Sequence, residues 1–244
     1  MSAARRRTRR PPRFYFSLRS PYSWLAWRDL RERYPGAAAA VEWVPFFEPD
    51  EQSRKLLAEA GGSFPYTPMS AAKHRYILQD VRRLANERGL TVSWPVDRKP
   101  VWEVPHLGYL VAERYGEGPR YIELAARARW TEGLDICDPA VIAGFGSELG
   151  LDGEELAAAA WDAGMRARGV EVLLEIERDG VFGVPFFTDH FDKYWGVDRL
   201  PAFAAAVRAR TDARVPADDS RPADDVRTPD DSRTVDDGHA GGCG

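Results

Sequence analysis

Short apolar runs and a stretch of helical periodicity alternate over the first fifty residues of the chain. The apolar run Arg13–Ser17 predicts one strand, and Val41–Phe47 predicts a second. Between them, Ser20 and Pro21 form a typical helix start, because serine caps the first amides and proline fits the first helical position. Pro35-Gly36 predicts the end of that helix. A strand, a helix and a strand in this order indicate a βαβ unit with parallel strands.

Helical periodicity then continues through the middle of the chain without a strand signal. The periodic segments start near proline, aspartate, serine or glycine and contain strong helix formers such as the alanine run 157–160. We therefore expect a helical layer between the first two strands and the elements that follow. The predicted helices cover residues 70–88, 102–115, 119–130, 139–149, 153–163 and 167–178.

A β-hairpin and a last helix complete the pattern. The apolar segment 180–188 and the segment 193–195 flank a turn at 189–192, and residues 199–208 predict a closing helix. This order of elements predicts the α/β fold class, with a thioredoxin-like domain that carries an inserted all-helical domain. The predicted divisions are a basic disordered arm (1–12), the thioredoxin-like domain (13–48 and 166–210), the helical insertion domain (49–165) and an acidic disordered hexapeptide-repeat tail (211–244).

Charged residues are concentrated at the two ends of the chain. Residues 1–13 hold six arginines, and four copies of a hexapeptide rich in aspartate follow from Pro216. These copies lack the large apolar side chains of a core, and the glycines of a calcium-binding repeat are absent until Gly238 in the fourth copy, so we predict a solvated tail. The net charge of −4 argues against a general nucleic-acid binder. Since no apolar run is long enough to cross a membrane, we expect a cytoplasmic protein.

Cysteine and histidine are too scarce, and too widely spaced, for most metal or redox sites. The two cysteines, Cys137 and Cys243, form neither a Cys-x-x-Cys pair nor a zinc-ligand pattern. The four histidines do not have the spacing of metal ligands either. We therefore predict no metal site and no disulfide framework.

Two segments together resemble a known family. The opening FYFSLRSPYSWLA, residues 14–26, resembles the start of 2-hydroxychromene-2-carboxylate isomerases and kappa-class glutathione transferases, which share a DsbA-like thioredoxin fold. The segment FGVP at 182–185, followed by WGVDRL at 195–200, resembles their second signature at a matching distance. A weaker third match joins Lys73, Tyr76 and Asp80. The resemblance covers about residues 13–205.

The resemblance implies a role for Ser20 at the start of the first helix. Redox members of this fold have a Cys-x-x-Cys pair where this chain has Ser20-Pro21-Tyr22-Ser23, and serine cannot form a disulfide. A helix start stabilises an anion, so Ser20 would donate a hydrogen bond to the thiolate of glutathione or another low-molecular-weight thiol. From the residues alone, a simple N-capping role for Ser20 stays open.

The resemblance also implies further contacts to the thiol. The backbone of Val184, beside a cis-proline at Pro185, would bind its peptide-like part, and Val197 with Asp198 would bind its γ-glutamyl end. Asp80 would reach it from the partner subunit or across the cleft. N-capping by Asp198 and a surface charge at Asp80 are the alternatives. An aromatic pocket is a further candidate, with ordinary core packing as its alternative; its residues would be Tyr22, Trp24, Phe46, Phe47, Phe64 and Trp102.

These features predict an isomerase of a conjugated, aromatic or polyketide-like small molecule that depends on a glutathione-like thiol. One alternative is a glutathione transferase, in which the thiol adduct is the product. Another is a non-catalytic protein of the same fold that binds a small molecule or a protein partner. The expected partners are a small-molecule substrate and, as is common in similar proteins, a second copy of the chain. Nucleic acids and membranes are not expected.

Overall fold

The computed structural model describes residues 10–65 and 69–212. In chain order its elements are β1 (Arg13–Phe16), α1 (Pro21–Arg33), α2 (Pro35–Ala40), β2 (Glu42–Pro45), α3 (Glu51–Glu59), α4 (Ala71–Asn86), α5 (Glu103–Arg114), α6 (Gly118–Ala126), α7 (Pro139–Leu149), α8 (Gly153–Ala158), α9 (Ala163–Arg178), β3 (Phe186–Asp189), β4 (Asp192–Trp195) and α10 (Leu200–Asp212). A π-helical turn follows α6 at Arg127–Thr131, and a 3₁₀ turn precedes α10 at Val197–Arg199.

The four strands form one mixed sheet in the order β2-β1-β3-β4. β1 pairs with β2 in parallel, whereas β3 pairs with β1 and β4 in antiparallel. The predicted βαβ unit and hairpin are therefore both present. Tyr15 lies opposite Phe186 in the register, which places the segment before β3 beside the end of β1, where the chain turns toward α1.

Aromatic side chains of β1 fill the core on both faces of the sheet. Phe14 stacks on Phe187 with ring centroids 4.6 Å apart, and Phe187 stacks on Phe203 of α10 at 4.8 Å. On the opposite face, the Tyr15 hydroxyl donates a 2.5 Å hydrogen bond to Asp179 at the end of α9. Burial of these rings from water fixes the strand register and holds helices against both faces.

The inserted helices are organised around α5, whose residues from Glu103 to Ala112 are all buried. α5 contacts α6, α7, α8 and α9, and α4 instead packs against α1. Phe16 of β1 meets Tyr109 of α5 at 5.1 Å between ring centroids. The insertion is thus packed directly on the end of β1 and on the helix that follows it.

Two predicted boundaries need correction. Residues 10–12 of the predicted disordered arm belong to the fold, because Pro12 is buried and its carbonyl accepts a 2.8 Å bond from the Glu42 amide. The predicted tail boundary at 211 is also too early, since α10 continues to Asp212. The rest of the arm and of the tail lies outside the described residues.

Two helices are missing from the predicted pattern. The helix stop predicted at Pro35-Gly36 is followed at once by α2, because proline also begins helices and the alanines at 37–40 favour them strongly. α3 begins after Asp50, whose carboxylate caps the Ser53 amide at 2.7 Å. This start signal, a capping aspartate with Glu51 in the first turn, is legible in the sequence.

Candidate active site

Residues 17–20, the serine loop, connect β1 to α1. Ser20 is the N-cap of α1, and its Oγ accepts a 3.2 Å hydrogen bond from the Ser23 amide. Ser23 in turn is buried, and its Oγ accepts a 3.2 Å bond from the Ser17 amide. The Ser20 hydroxyl is half-buried and its proton goes to no acceptor among the described residues. That proton is therefore free for a ligand at the positive end of α1.

His106 of α5 contacts the serine loop from the insertion. Its Nε2 lies 3.0 Å from the Leu18 amide and 3.4 Å from the Ser17 hydroxyl, while its Nδ1 lies 2.7 Å from the Trp102 carbonyl. The ring is fully buried. Burial, aided by the positive charges of Arg129 and Arg19, lowers the pKa of His106 to about 3. The imidazole is accordingly neutral near neutral pH.

Tyr22, in the first turn of α1, connects this helix to Asp80 of α4. Its hydroxyl donates a 2.8 Å hydrogen bond to Asp80 Oδ2, and Arg83 and Tyr76 contact Oδ1 at 2.9 Å and 3.4 Å. Burial raises the pKa of Tyr22, and the bond to Asp80 raises it further. Burial opposes ionisation of Asp80 too, but the bond from Tyr22 and the charge of Arg83 outweigh it and lower its pKa. Three of about four acceptor positions on this carboxylate are occupied, which leaves one.

The segment before β3 presents unpaired backbone groups. The Val184–Pro185 peptide bond is cis. Val184 is half-buried, and neither its amide nor its carbonyl is bonded within residues 10–65 and 69–212. The Pro185 carbonyl, in contrast, accepts a 3.0 Å bond from the Gly196 amide. Val184 thus has a free donor and a free acceptor, as an edge strand does.

The 3₁₀ turn at Val197–Arg199 packs against α1 and presents an exposed carboxylate. The side chain of Asp198 is 69% exposed and lies 3.6 Å from Arg199 Nε. Gly196, not Asp198, is the N-cap, and no side chain caps this turn. The alternative N-capping role for Asp198 is therefore wrong. In the described part of the chain, the amides of Val197 and Asp198 also have no acceptor.

A family model of the DsbA-like thioredoxin domain matches residues 13–208. The chain belongs to this family. Both the predicted family resemblance and the predicted fold class are thereby confirmed.

Individual relatives share this fold at low sequence identity. The 2-hydroxychromene-2-carboxylate isomerase of Sphingobium xenophagum is 23% identical over 188 residues, which is 77% of this chain and 92% of the relative. A solved 2-hydroxychromene-2-carboxylate isomerase aligns with a TM-score of 0.67 and 21% identity, over 83% of this chain and 97% of that one. The cytosolic disulfide reductase DsbM of Pseudomonas aeruginosa, solved with GSH, aligns with a TM-score of 0.53 and 19% identity, over 83% and 97%.

In this DsbA-like chain, the residues predicted to line one aromatic pocket lie in different surroundings. Phe47 and Trp102 are 1% and 4% exposed and belong to the core, which corrects their placement at an open pocket. Trp24 stacks on Trp130 at 5.8 Å and borders only a narrow crevice behind the serine loop. Phe46 and Phe64 are half-buried, and their ring centroids lie 5.0 Å apart. Tyr22 is bound to Asp80 through its hydroxyl.

The described cysteine of this DsbA-like chain takes no part in the site. Cys137 lies before α7, and burial raises its pKa to about 12, so it is an inert thiol. Cys243 is outside the described residues. Within those residues no cluster of three metal-ligand side chains occurs, and no helix is both long and apolar enough to cross a bilayer. The cytoplasmic location and the homodimer stay predictions.

One site residue, His106, has no role in the sequence-based prediction, where it counts only as a histidine without metal spacing. Its contacts to Leu18 and Ser17 in the serine loop lie 88 and 89 positions away along the chain. The same distance problem applies to Tyr22 and Asp80, which are 58 positions apart. Both residues of that pair are predicted site residues, but their direct contact within one chain is new.

Proposed function

We propose that this protein is an isomerase of a conjugated small molecule and depends on a glutathione-like thiol, whose sulfur anion is stabilised by Ser20. One observation carries the proposal: the Ser20 hydroxyl receives a bond from the Ser23 amide and keeps its own proton available at the start of α1. A hydroxyl that already accepts a hydrogen bond is polarised toward donating its proton. The helix end adds about half a positive charge to the same place.

The donor set fits a thiolate better than it fits a dithiol redox centre. Ser20 and Ser23 occupy the positions of a Cys-x-x-Cys pair, and Cys137, the described cysteine, lies elsewhere with a raised pKa. A hydroxyl at the positive end of a helix stabilises an external anion without exchanging electrons with it. The redox chemistry of the fold would therefore give way to thiolate stabilisation.

The unpaired backbone groups suit the peptide part of such a thiol. Val184 would bind a peptide unit through its free amide and carbonyl, as strand-like recognition does. The free amides of Val197 and Asp198 would bind a carboxylate, and the exposed Asp198 carboxylate would pair with an ammonium group. Asp80 has one acceptor position left for a further donor. The resemblance to isomerases and the DsbM structure solved with GSH favour glutathione.

When bound, such a thiol supplies a sulfur that forms a C–S bond to a conjugated double bond and, after rotation about the resulting single bond, leaves again unchanged. Ser20 would hold the sulfur ionised before addition and again as it leaves. Phe46 and Phe64, both half-buried, would offer an apolar surface to a planar substrate.

Turnover of conjugated substrates with and without glutathione tests the proposal. Ser20→Ala should lower thiol-dependent turnover about 100-fold, the scale for loss of one preorganised donor. Ser70→Ala is a matched control, because Ser70 caps α4 with the same 3.2 Å geometry and is not part of the site. Equal turnover in wild type and Ser20→Ala would contradict the proposal. Mass spectrometry separates the transferase alternative, in which a stable thiol adduct accumulates.

A further inference from the structure

The four amides of the serine loop are held in two different ways. The Ser17 amide donates to Ser23 Oγ at 3.2 Å, the Arg19 amide to Ser17 Oγ at 3.3 Å and the Ser20 amide to the Ser17 carbonyl at 3.0 Å. All three acceptors belong to the loop itself or to α1. The fourth amide, that of Leu18, donates instead to Nε2 of His106 at 3.0 Å. His106 belongs to the inserted domain.

The partners of His106 allow one protonation state of the ring. The Trp102 carbonyl can only accept, so Nδ1 carries the hydrogen of the 2.7 Å bond. The Leu18 amide can only donate, so Nε2 must be the unprotonated acceptor. Phe47 stacks on the ring at 5.3 Å and fixes its plane. A second proton on Nε2 would point at the Leu18 amide hydrogen and break the contact.

From these contacts we infer that His106 is a positioning residue for Ser20, through which the inserted domain fixes the serine loop. This inference rests on the proposed function. A hydroxyl that stabilises an anion must be placed within a fraction of an ångström, so a loop left free at Leu18 would weaken the effect of Ser20. An apolar residue would fill the same buried position but would leave the Leu18 amide without an acceptor.

Two substitutions of His106 separate positioning from packing. In His106→Gln the side-chain oxygen reaches the place of Nε2 and can still accept from Leu18. In His106→Asn the shorter amide reaches only the place of Nδ1, so the Trp102 bond survives and the Leu18 bond is lost. The Asn side chain is one methylene smaller than that of Gln, so the effect of lost core volume needs its own control, a truncation elsewhere on α5.

Hydrogen exchange of the Leu18 amide gives a readout in protein without thiol. We expect exchange about tenfold faster or more in His106→Asn and near the wild-type rate in His106→Gln, because only the Asn variant lacks the acceptor. Leu107→Ala, a truncation of the fully buried neighbour on α5, controls for general loosening of that helix. Equal exchange in the Asn and Gln variants would overturn the inference.

A double-mutant cycle with Ser20→Ala then tests whether His106 acts through Ser20. The readout is the pKa of the bound glutathione thiol, which should rise by about one unit in His106→Asn and stay near wild type in His106→Gln. In the Ser20→Ala background, His106→Asn should cause no further rise, since no hydroxyl is left to position. Additive rises would overturn the inference. If Ser20→Ala alone leaves the thiol pKa unchanged, the proposed function fails, whatever the Leu18 exchange shows.

Discussion

The hydroxyl of Tyr22 donates a 2.8 Å hydrogen bond to the carboxylate of Asp80, which joins α1 of the thioredoxin-like domain to α4 of the insertion. The resemblance placed Asp80 near the thiol, either from the partner subunit or across the cleft. Within this chain, Asp80 is held beside the first turn of α1 by Tyr22, which lies two residues after Ser20. One subunit therefore brings Ser20 and Asp80 to the same end of α1.

We expect Tyr22→Phe to raise the pKa of Asp80 toward its ordinary value and to destabilise the fold by about 1–2 kcal/mol. Asp80 has a lowered pKa in the fold, so its contribution to stability is present above about pH 3.9 and lost as pH falls through the folded value. The stability gap between wild type and the variant should accordingly narrow below about pH 4. Denaturant unfolding at several pH values measures this.

Tyr115→Phe is the control for that measurement, because Tyr115 donates to Glu155 at 3.1 Å on an exposed surface. Tyr115→Phe should lower the free energy of unfolding by no more than about 0.5 kcal/mol. A loss for Tyr22→Phe as small as this control would mean that the Tyr22–Asp80 bond does not hold the two helices together.

Gly196→Ala should weaken thiol binding through Asp198. Gly196 has φ +103° and ψ 157°, a conformation that costs a residue with Cβ roughly 1–3 kcal/mol. A Cβ there would also lie 2.6 Å from Asp198 Oδ1 and displace the carboxylate. Calorimetric titration with S-methylglutathione should show about a tenfold weaker Kd. Gly36→Ala, whose Cβ meets nothing within 4 Å, should bind like wild type; equal affinity of all three proteins would argue against a ligand role for Asp198.

The raised pKa of Cys137 predicts an unreactive thiol. With a pKa of about 12, the native thiol holds far less thiolate at pH 8 than an ordinary cysteine does. Alkylation of Cys137, followed by peptide mass spectrometry, should be about 100-fold slower or more in native than in denatured protein. Cys137→Ala should keep full thiol-dependent turnover. Rapid native alkylation together with loss of turnover would show that this chain uses its own thiol.

His106 should make stability fall with pH in the mildly acidic range. The folded pKa of about 3 lies below the unfolded value of about 6.5, so the unfolded state binds the proton first. The contribution of His106 to the free energy of unfolding is fully present above about pH 6.5 and decreases as the pH falls toward 3. Between pH 7 and pH 5, wild type should lose about 2 kcal/mol more than His106→Gln. Parallel pH profiles of the two proteins would show that the imidazole is not held neutral.

Local signals predict the elements around the site well. The Ser-Pro start of α1 encodes its own capping bond, and the turn at 189–192 encodes the hairpin, in which His190 adopts φ +63°. α2 escapes prediction because the same Pro35-Gly36 pair can end one helix and begin another, and the packing of α2 on α10 decides between them. Competing local signals of this kind are settled only by tertiary contacts.

Contacts between the two domains escape prediction for a different reason. His106 shows only an apolar helical neighbourhood in the sequence, and its acceptor role exists only because the fold brings Leu18 to it. In the same way Trp102 and Tyr22 are similar candidates for an aromatic pocket, yet one is buried against His106 and the other faces Asp80. Residue type indicates the chemistry, whereas burial and long-range contacts decide where it is used.

The pKa of the thiol of bound glutathione, followed by the ultraviolet absorbance of its thiolate, tests the central claim most directly. Wild type should lower this pKa clearly below the value of about 8.5 for a free cysteine thiol. Ser20→Ala should raise the pKa of the bound thiol by about one unit or more, and one unit is equivalent to about 1.4 kcal/mol. Ser70→Ala should leave this pKa at the wild-type value. An equal thiol pKa in wild type and Ser20→Ala, with glutathione bound to both, would contradict the account.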